Sequence, residues 1–199
     1  VEQKVYSLTG RKLQEVFHQG ELVGRETELA ELVECIQPLW QGDFAGLTVV
    51  WGDAGIGKSR LVYELKAIHD QEKKKIYWAL CHSDQILRHS FNPFRYWLLR
   101  YFGIDSNMDD AQKKQAFDSK LNNLIEDIND TDLSSELDHL RTVLGALLNL
   151  DWPGSFHESL DAEGRYNNTL AALIALIKAE SLQQPVLIFI EDAQFMDED

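Results

Sequence analysis

The stretch LTVVWGDAGIGKSR, residues 47–60, constrains this chain more than any other. Five apolar or β-branched residues, Leu47 to Trp51, run straight into a loop holding three glycines, a lysine and a serine. Such a run predicts a short central strand over 47–51, buried on both faces. The residues that follow, KSRLVYELKAIHD, carry helical spacing at Leu61, Leu65 and Ile68. The expected order is therefore strand, glycine-rich loop, helix.

Gly52, Asp53, Ala54, Gly55, Ile56, Gly57, Lys58 and Ser59 fit the pattern G-x-x-x-x-G-K-[ST]. Glycines let the chain curl so that successive backbone N–H groups face one concavity, a nest for anionic oxygens. The following helix offers its unpaired N–H groups and positive dipole end to the same anion. Lys58 adds a compact charge for β- and γ-phosphates, Ser59 adds a hydroxyl ligand for Mg²⁺, and Arg60 completes the candidate set. Chance produces the four fixed positions in on the order of one chain in a hundred of this length. Here they also stand between a strand pattern and a helix pattern, as phosphate binding requires. The loop is read as a phosphate cradle.

A phosphate cradle needs an acidic partner for Mg²⁺ at the end of a neighbouring buried strand. VLIFIED, near the C-terminus, offers one: five apolar residues, then Glu191 and Asp192. In this reading Glu191 holds the Mg²⁺ shell, while Asp192 polarises the attacking water and acts with Lys58 as a catalytic residue. The two acids could also exchange these jobs.

Between these ends the pattern is helical. Amphipathic spacing runs from Arg25 to Trp40, and KIYWALCH, residues 75–82, reads as a second strand. Helices are predicted over 93–102, 109–128, 133–149 and 162–182, with no convincing strand between about 86 and 182. Asn92 suits a helix cap, Pro93 a first turn and Gly103 a stop. Pro185 ends the last helix, and Val186 to Ile190 form a third strand.

The 33 acidic and 19 basic side chains give a formal net charge of −14. That balance excludes a general nucleic-acid-binding surface, because a phosphate backbone would be repelled. Cys35 and Cys81 match no metal-ligand spacing and read as reduced cysteines of a cytoplasmic protein. No apolar run approaches the roughly 20 residues of a membrane span, and the N-terminus carries no signal-peptide pattern. With no initial Met and a stop just after a strand pattern, the chain reads as a piece of a longer polypeptide. Residues 1–19 read as a connector from an upstream domain, and 20–199 as the N-terminal part of a nucleotide-binding domain.

Taken together, LVGRETEL (22–29), GDAGIGKSRL and VLIFIEDAQFMDED resemble the opening, Walker A and Walker B motifs of one family. That family is the signal-transduction ATPases with numerous domains (STAND), a branch of the AAA-type P-loop NTPases. HSFNPFRYWL resembles the segment after its second strand. The Glu191, Asp192, Phe195, Asp197 pattern is similar to members found in class III adenylate cyclases and large transcriptional regulators. The chain departs from the family at Gln194 and Phe195, where His and Trp are usual.

The resemblance implies a three-layer α/β/α P-loop fold with a parallel sheet and a long helical insertion. It implies ATP and Mg²⁺ as ligands, with Val23 and Gly24 against the adenine and Arg25 and Glu26 fixing that corner. The family sheet runs 5-1-4-3-2, and only its strands 1, 2 and 3 are in this sequence. Strand 4 with its sensor residue, strand 5 and the closing helical domain are not. The chain alone is accordingly expected to be inactive and to self-associate through its open strand edges. In the whole protein the implied role is an ATP-hydrolysing switch for an attached output domain. KVYSLTG is similar to the tail after a cyclase catalytic domain, which makes a cyclase one such output. A nucleotide-sensing scaffold that scarcely turns ATP over is the alternative.

Overall fold

The structure is a computed structural model that describes residues 23–71, 75–83 and 90–196. The connector over 1–19, KVYSLTG and Asp197 lie outside the described residues. Helix α1 (Glu26–Cys35) is followed by a 3-10 turn (Gln37–Gln41), then by the glycine loop and α2 (Lys58–Gln71). Strand β1 (Tyr77–His82) leads into the helices α3 (Asn92–Tyr101), α4 (Asp110–Asp127), α5 (Thr131–His139) and α6 (Arg141–Ala146). The short α7 (Phe156–Ser159) and long α8 (Ala162–Gln183) precede β2 (Val186–Glu191) and a final 3-10 turn (Ala193–Phe195).

β1 and β2 pair in parallel, Tyr77 opposite Val186 through His82 opposite Glu191. This agrees with the adjacency of strands 2 and 3 in the family order. Alternate side chains along β1 serve two different cores, as a strand covered on both faces should. Trp78, with Leu187 of β2, packs against Leu32 of α1, Ile36 just beyond it, and Leu61 and Leu65 of α2. Ala79 and Cys81 face the other way, into a much larger core from the helical insertion that includes Trp97, Phe117, Leu137 and Leu176. Burial in that core pushes the Cys81 thiol up to about 12, whereas Cys35 is exposed.

The helical insertion owes its ends to acidic caps. Asp109 accepts the Gln112 N–H at 2.8 Å and its own N–H donates to the Gln112 side chain at 2.9 Å, so two orphan donors are satisfied reciprocally. Asp130 caps α5 through the Leu133 N–H, and Asp161 caps α8 through the Gly164 N–H. Glu180 of α8 is 4% exposed and accepts the Tyr101 hydroxyl of α3, which joins the two helices across the core.

Trp152 folds back over α6 at a glycine. A Cβ on Gly145 would stand 2.4 and 2.6 Å from two Trp152 ring carbons, so only a hydrogen fits there. The ring packs near Phe117 at 5.7 Å and under the Lys114 ammonium at 5.2 Å. Gly145→Ala should therefore displace Trp152 and destabilise the insertion by about 1–3 kcal/mol, the usual range for overpacking a filled core. Denaturant unfolding checks this, and an unchanged midpoint would contradict the packing described.

Several expectations need correction. Residues 47–51 do not form a strand: they pair with neither β1 nor β2, and Leu47, Val49 and Trp51 are 89, 71 and 88% exposed. A strand exists through its ladder, and no described segment lies alongside to complete one. The apolar run therefore stays unpaired, with Val50 packed against the smaller core. The single helix predicted over 133–149 is two, broken at Leu140, where ψ near 2° turns the chain. Just past the break Arg141 reaches Asp118 and Asn122 of α4 at 2.8 and 2.6 Å. Asn92 is not the cap of α3 but its first residue; the cap is Phe91, at φ 64°. The helix α7 is additional to the expected set.

The helical pattern read from Arg25 to Trp40 is also divided, α1 ending at Cys35 and a 3-10 turn following over Gln37–Gln41. The remaining helices and both strands of the pair match their predicted spans closely. No strand occurs between 90 and 182 among the described residues. Gly103, at φ 64°, ends α3 as expected.

Candidate nucleotide site

Lys58 opens α2, and its ammonium reaches back across the loop to the carbonyls of Gly52 and Asp53, at 2.9 and 3.0 Å. The loop curls through three glycines of positive φ: Gly52 at 152°, Gly55 at 80° and Gly57 at 97°. At Gly55 and Gly57 an added Cβ would meet nothing within 4 Å, so conformation rather than crowding calls for glycine there. Asp53 and Ala54 are exposed along the same curl, Ile56 is 48% exposed, and Ser59 is half-buried in the first turn of α2. Arg60 pairs with Glu64 one turn along α2, at 3.1 Å.

The opening motif meets this loop. A cleft of about 280 Å³ is lined by Arg25 and Leu32 of α1, by Val50 and Trp51, and by Gly57 and Lys58. Gly24, at φ 73°, donates its N–H to Glu26 at 3.2 Å. Arg25 pairs with Glu28 at 2.6 Å, and that guanidinium holds the Glu28 carboxyl below its usual range. Arg25 is thus tied to Glu28 rather than to Glu26. Val23 is 83% exposed and does not line the cleft.

The acidic pair sits at the C-terminal end of β2. Glu191 ends the ladder opposite His82, and the Ser83 N–H donates to the Glu191 carbonyl at 3.1 Å. Asp192 turns the chain at φ 57°, a left-handed conformation that Asp tolerates, and its carboxylate accepts the Gln194 side chain at 3.2 Å. Among the described residues no hydrogen bond or ion pair joins Glu191 or Asp192 to Lys58 or Ser59. The structure thus gathers Arg25, Gly57 and Lys58 at one cleft and the two acids at the sheet end.

A family model described as AAA ATPase domain matches residues 21–199, from the opening motif to the last residue. The chain belongs to the AAA ATPase domain family. Neither a curated protein nor a solved structure matches it. Membership makes the glycine loop of this AAA ATPase domain part of a P-loop α/β fold, and its class that of nucleotide-binding NTPases.

The residues present fit the Mg²⁺-ATP that AAA ATPase domains bind in general. The hard oxygens on offer are the Ser59 hydroxyl in the first turn of α2 and, apart from it at the end of β2, the Glu191 carboxylate. Among the described residues no group of three or more His, Cys, Asp and Glu could hold a metal ion. Mg²⁺ bridging phosphates needs only one or two protein oxygens and keeps its waters, so the absence of such a cage is no obstacle. No helix among the described residues is long and apolar enough to cross a membrane.

His82 and Ser83 stand beside Glu191, and no sequence motif singles them out. The residues KIYWALCH identify a strand but not its neighbour, and only the register with β2 reveals that His82 faces Glu191.

Proposed function

We propose that this chain is the phosphate-binding part of an ATP-hydrolysing regulatory module, with a three-layer α/β/α arrangement in the whole protein. The observation that carries this reading is Lys58 at the start of α2, poised over the carbonyls of a loop with three positive-φ glycines. With nucleotide bound, Lys58 exchanges those carbonyls for β- and γ-phosphate oxygens, and the loop N–H groups from Gly52 to Ser59 hold the remaining charge. ATP with Mg²⁺ supplies the phosphoryl group and neutralises its charge. Ser59 and Glu191 hold the metal shell, Asp192 orients and polarises water, and Arg60 borders the phosphates. Val23, Gly24 and Arg25 form the adenine side. The nucleotide state then controls an attached output domain, a cyclase being one candidate, in a cytoplasmic protein.

A non-catalytic nucleotide-sensing scaffold in a transcriptional regulator is the second reading. It draws on the lack of any bond between the two acids and the P-loop among the described residues. Calorimetry with Mg²⁺-ATP and a phosphate-release assay on the natural full-length protein separate the two. Saturable binding with Mg²⁺-dependent release of phosphate is expected. Binding without release would favour the scaffold, and absence of binding would refute both.

A further inference from the structure

The end of the sheet carries a histidine beside Glu191. The register sets His82 opposite Glu191, and the next N–H, from Ser83, continues the ladder onto the Glu191 carbonyl at 3.1 Å. Opposed residues of a parallel pair project from the same face, so backbone pairing alone brings imidazole and carboxylate together. His82 Nδ1 stands 3.7 Å from Glu191 Oε2, with the Glu191 side chain 15% exposed. The imidazole also lies near the Tyr96 ring of α3, at 6.0 Å between centroids. The Nδ1 atom is itself buried and makes no hydrogen bond. A buried ring nitrogen left unpaired is costly, and a small rotation of either side chain would close the gap to the carboxylate.

We propose that His82 is a positioning residue, its Nδ1–H donating to the Glu191 carboxylate and so fixing which oxygen faces bound Mg²⁺-ATP. The inference rests on the reading of Glu191 as the Mg²⁺-shell acid. Carboxylates that ligate a metal are themselves held by hydrogen bonds, and loss of such a partner typically costs about 10–100-fold in metal affinity or activity. An exposed ion pair at this distance would contribute little. The difference here is that the backbone register, a buried nitrogen and an aromatic neighbour all restrict the ring.

The test is the Mg²⁺ dependence of ATP binding, followed by calorimetry in the natural full-length protein. His82→Phe keeps a flat ring but has no donor, and should raise the Mg²⁺ concentration at half-saturation by about 10–100-fold. His82→Asn, whose amide nitrogen lies close to the position of Nδ1, should restore most of the loss. His82→Ala serves in place of the Phe variant should that one fail to melt cooperatively. Glu191→Gln should shift the Mg²⁺ dependence at least as far. If Glu191→Gln shifts it and the variants lacking the donor do not, the role of His82 is overturned while that of Glu191 stands. If Glu191→Gln has no effect, the reading of Glu191 falls and the inference with it. Equal loss in His82→Phe and His82→Asn would show that ring packing matters rather than the N–H, and would also overturn the proposal.

Discussion

Lys58→Ala is expected to weaken Mg²⁺-ATP binding roughly 10- to 150-fold. The scale follows from a charge-assisted hydrogen bond worth about 1.5–3 kcal/mol, with each 1.4 kcal/mol a factor of ten. The ammonium already spans the loop to the Gly52 and Asp53 carbonyls, so it is fixed where a polyphosphate would thread the curl. Lys58→Arg should fall between, because a planar fork keeps the charge but cannot occupy the place of a compact ammonium. The fold should be little affected, since Lys58 lies outside both hydrophobic cores. Calorimetry on the natural full-length protein is the check. Unchanged affinity in Lys58→Ala would remove the basis for reading the loop as a phosphate cradle.

Asp192→Asn should leave ATP affinity close to the wild-type value while lowering turnover by about 10²–10⁴-fold, the usual contribution of a general base. An amide cannot take a proton or polarise water as a carboxylate does. Asp192 suits that part because it stands beyond the ladder, on the turn that leaves β2 at φ 57°, whereas Glu191 is still held by strand pairing. The substitution keeps the size of the side chain and an oxygen able to accept the Gln194 amide, so the turn should survive. Single-turnover phosphate release, measured alongside binding, separates the two effects. If Glu191→Gln abolishes turnover with Mg²⁺ dependence intact, the two acids have exchanged roles.

The residues made much of this legible, and the failures share a cause. Periodicity located α4 and α8 because their apolar faces recur along one helix. The glycine loop was legible because its chemistry is local. Which segments find a distant partner was not. Leu47 to Trp51 have the composition of a strand, but a ladder needs a second backbone, and none of the described segments supplies it. The leucine spacing passes straight through Leu140, so nothing local signalled the turn that separates α5 from α6. A left-handed Phe91 is unfavourable for its type and not readable from residue order. That His82 stands beside the acidic end of β2 follows only from the register that sets it opposite Glu191, 109 positions along the chain.

The unequal division of apolar side chains between the two faces of the strand pair has a mechanical consequence. Helices α1 and α2, which flank the glycine loop, rest on a cluster centred on Leu32, Ile36, Leu61 and Leu65, while the opposite face holds an extended aromatic and leucine core. Opening free energies follow local burial, so the phosphate-binding half should fluctuate open well before the helical half yields. A ligand gripping only the closed form of that half adds its binding free energy to the weaker side. Nucleotide would then act as a mortar that hardens one wall of the molecule, while the wall behind β1 and β2 stays firm in either state.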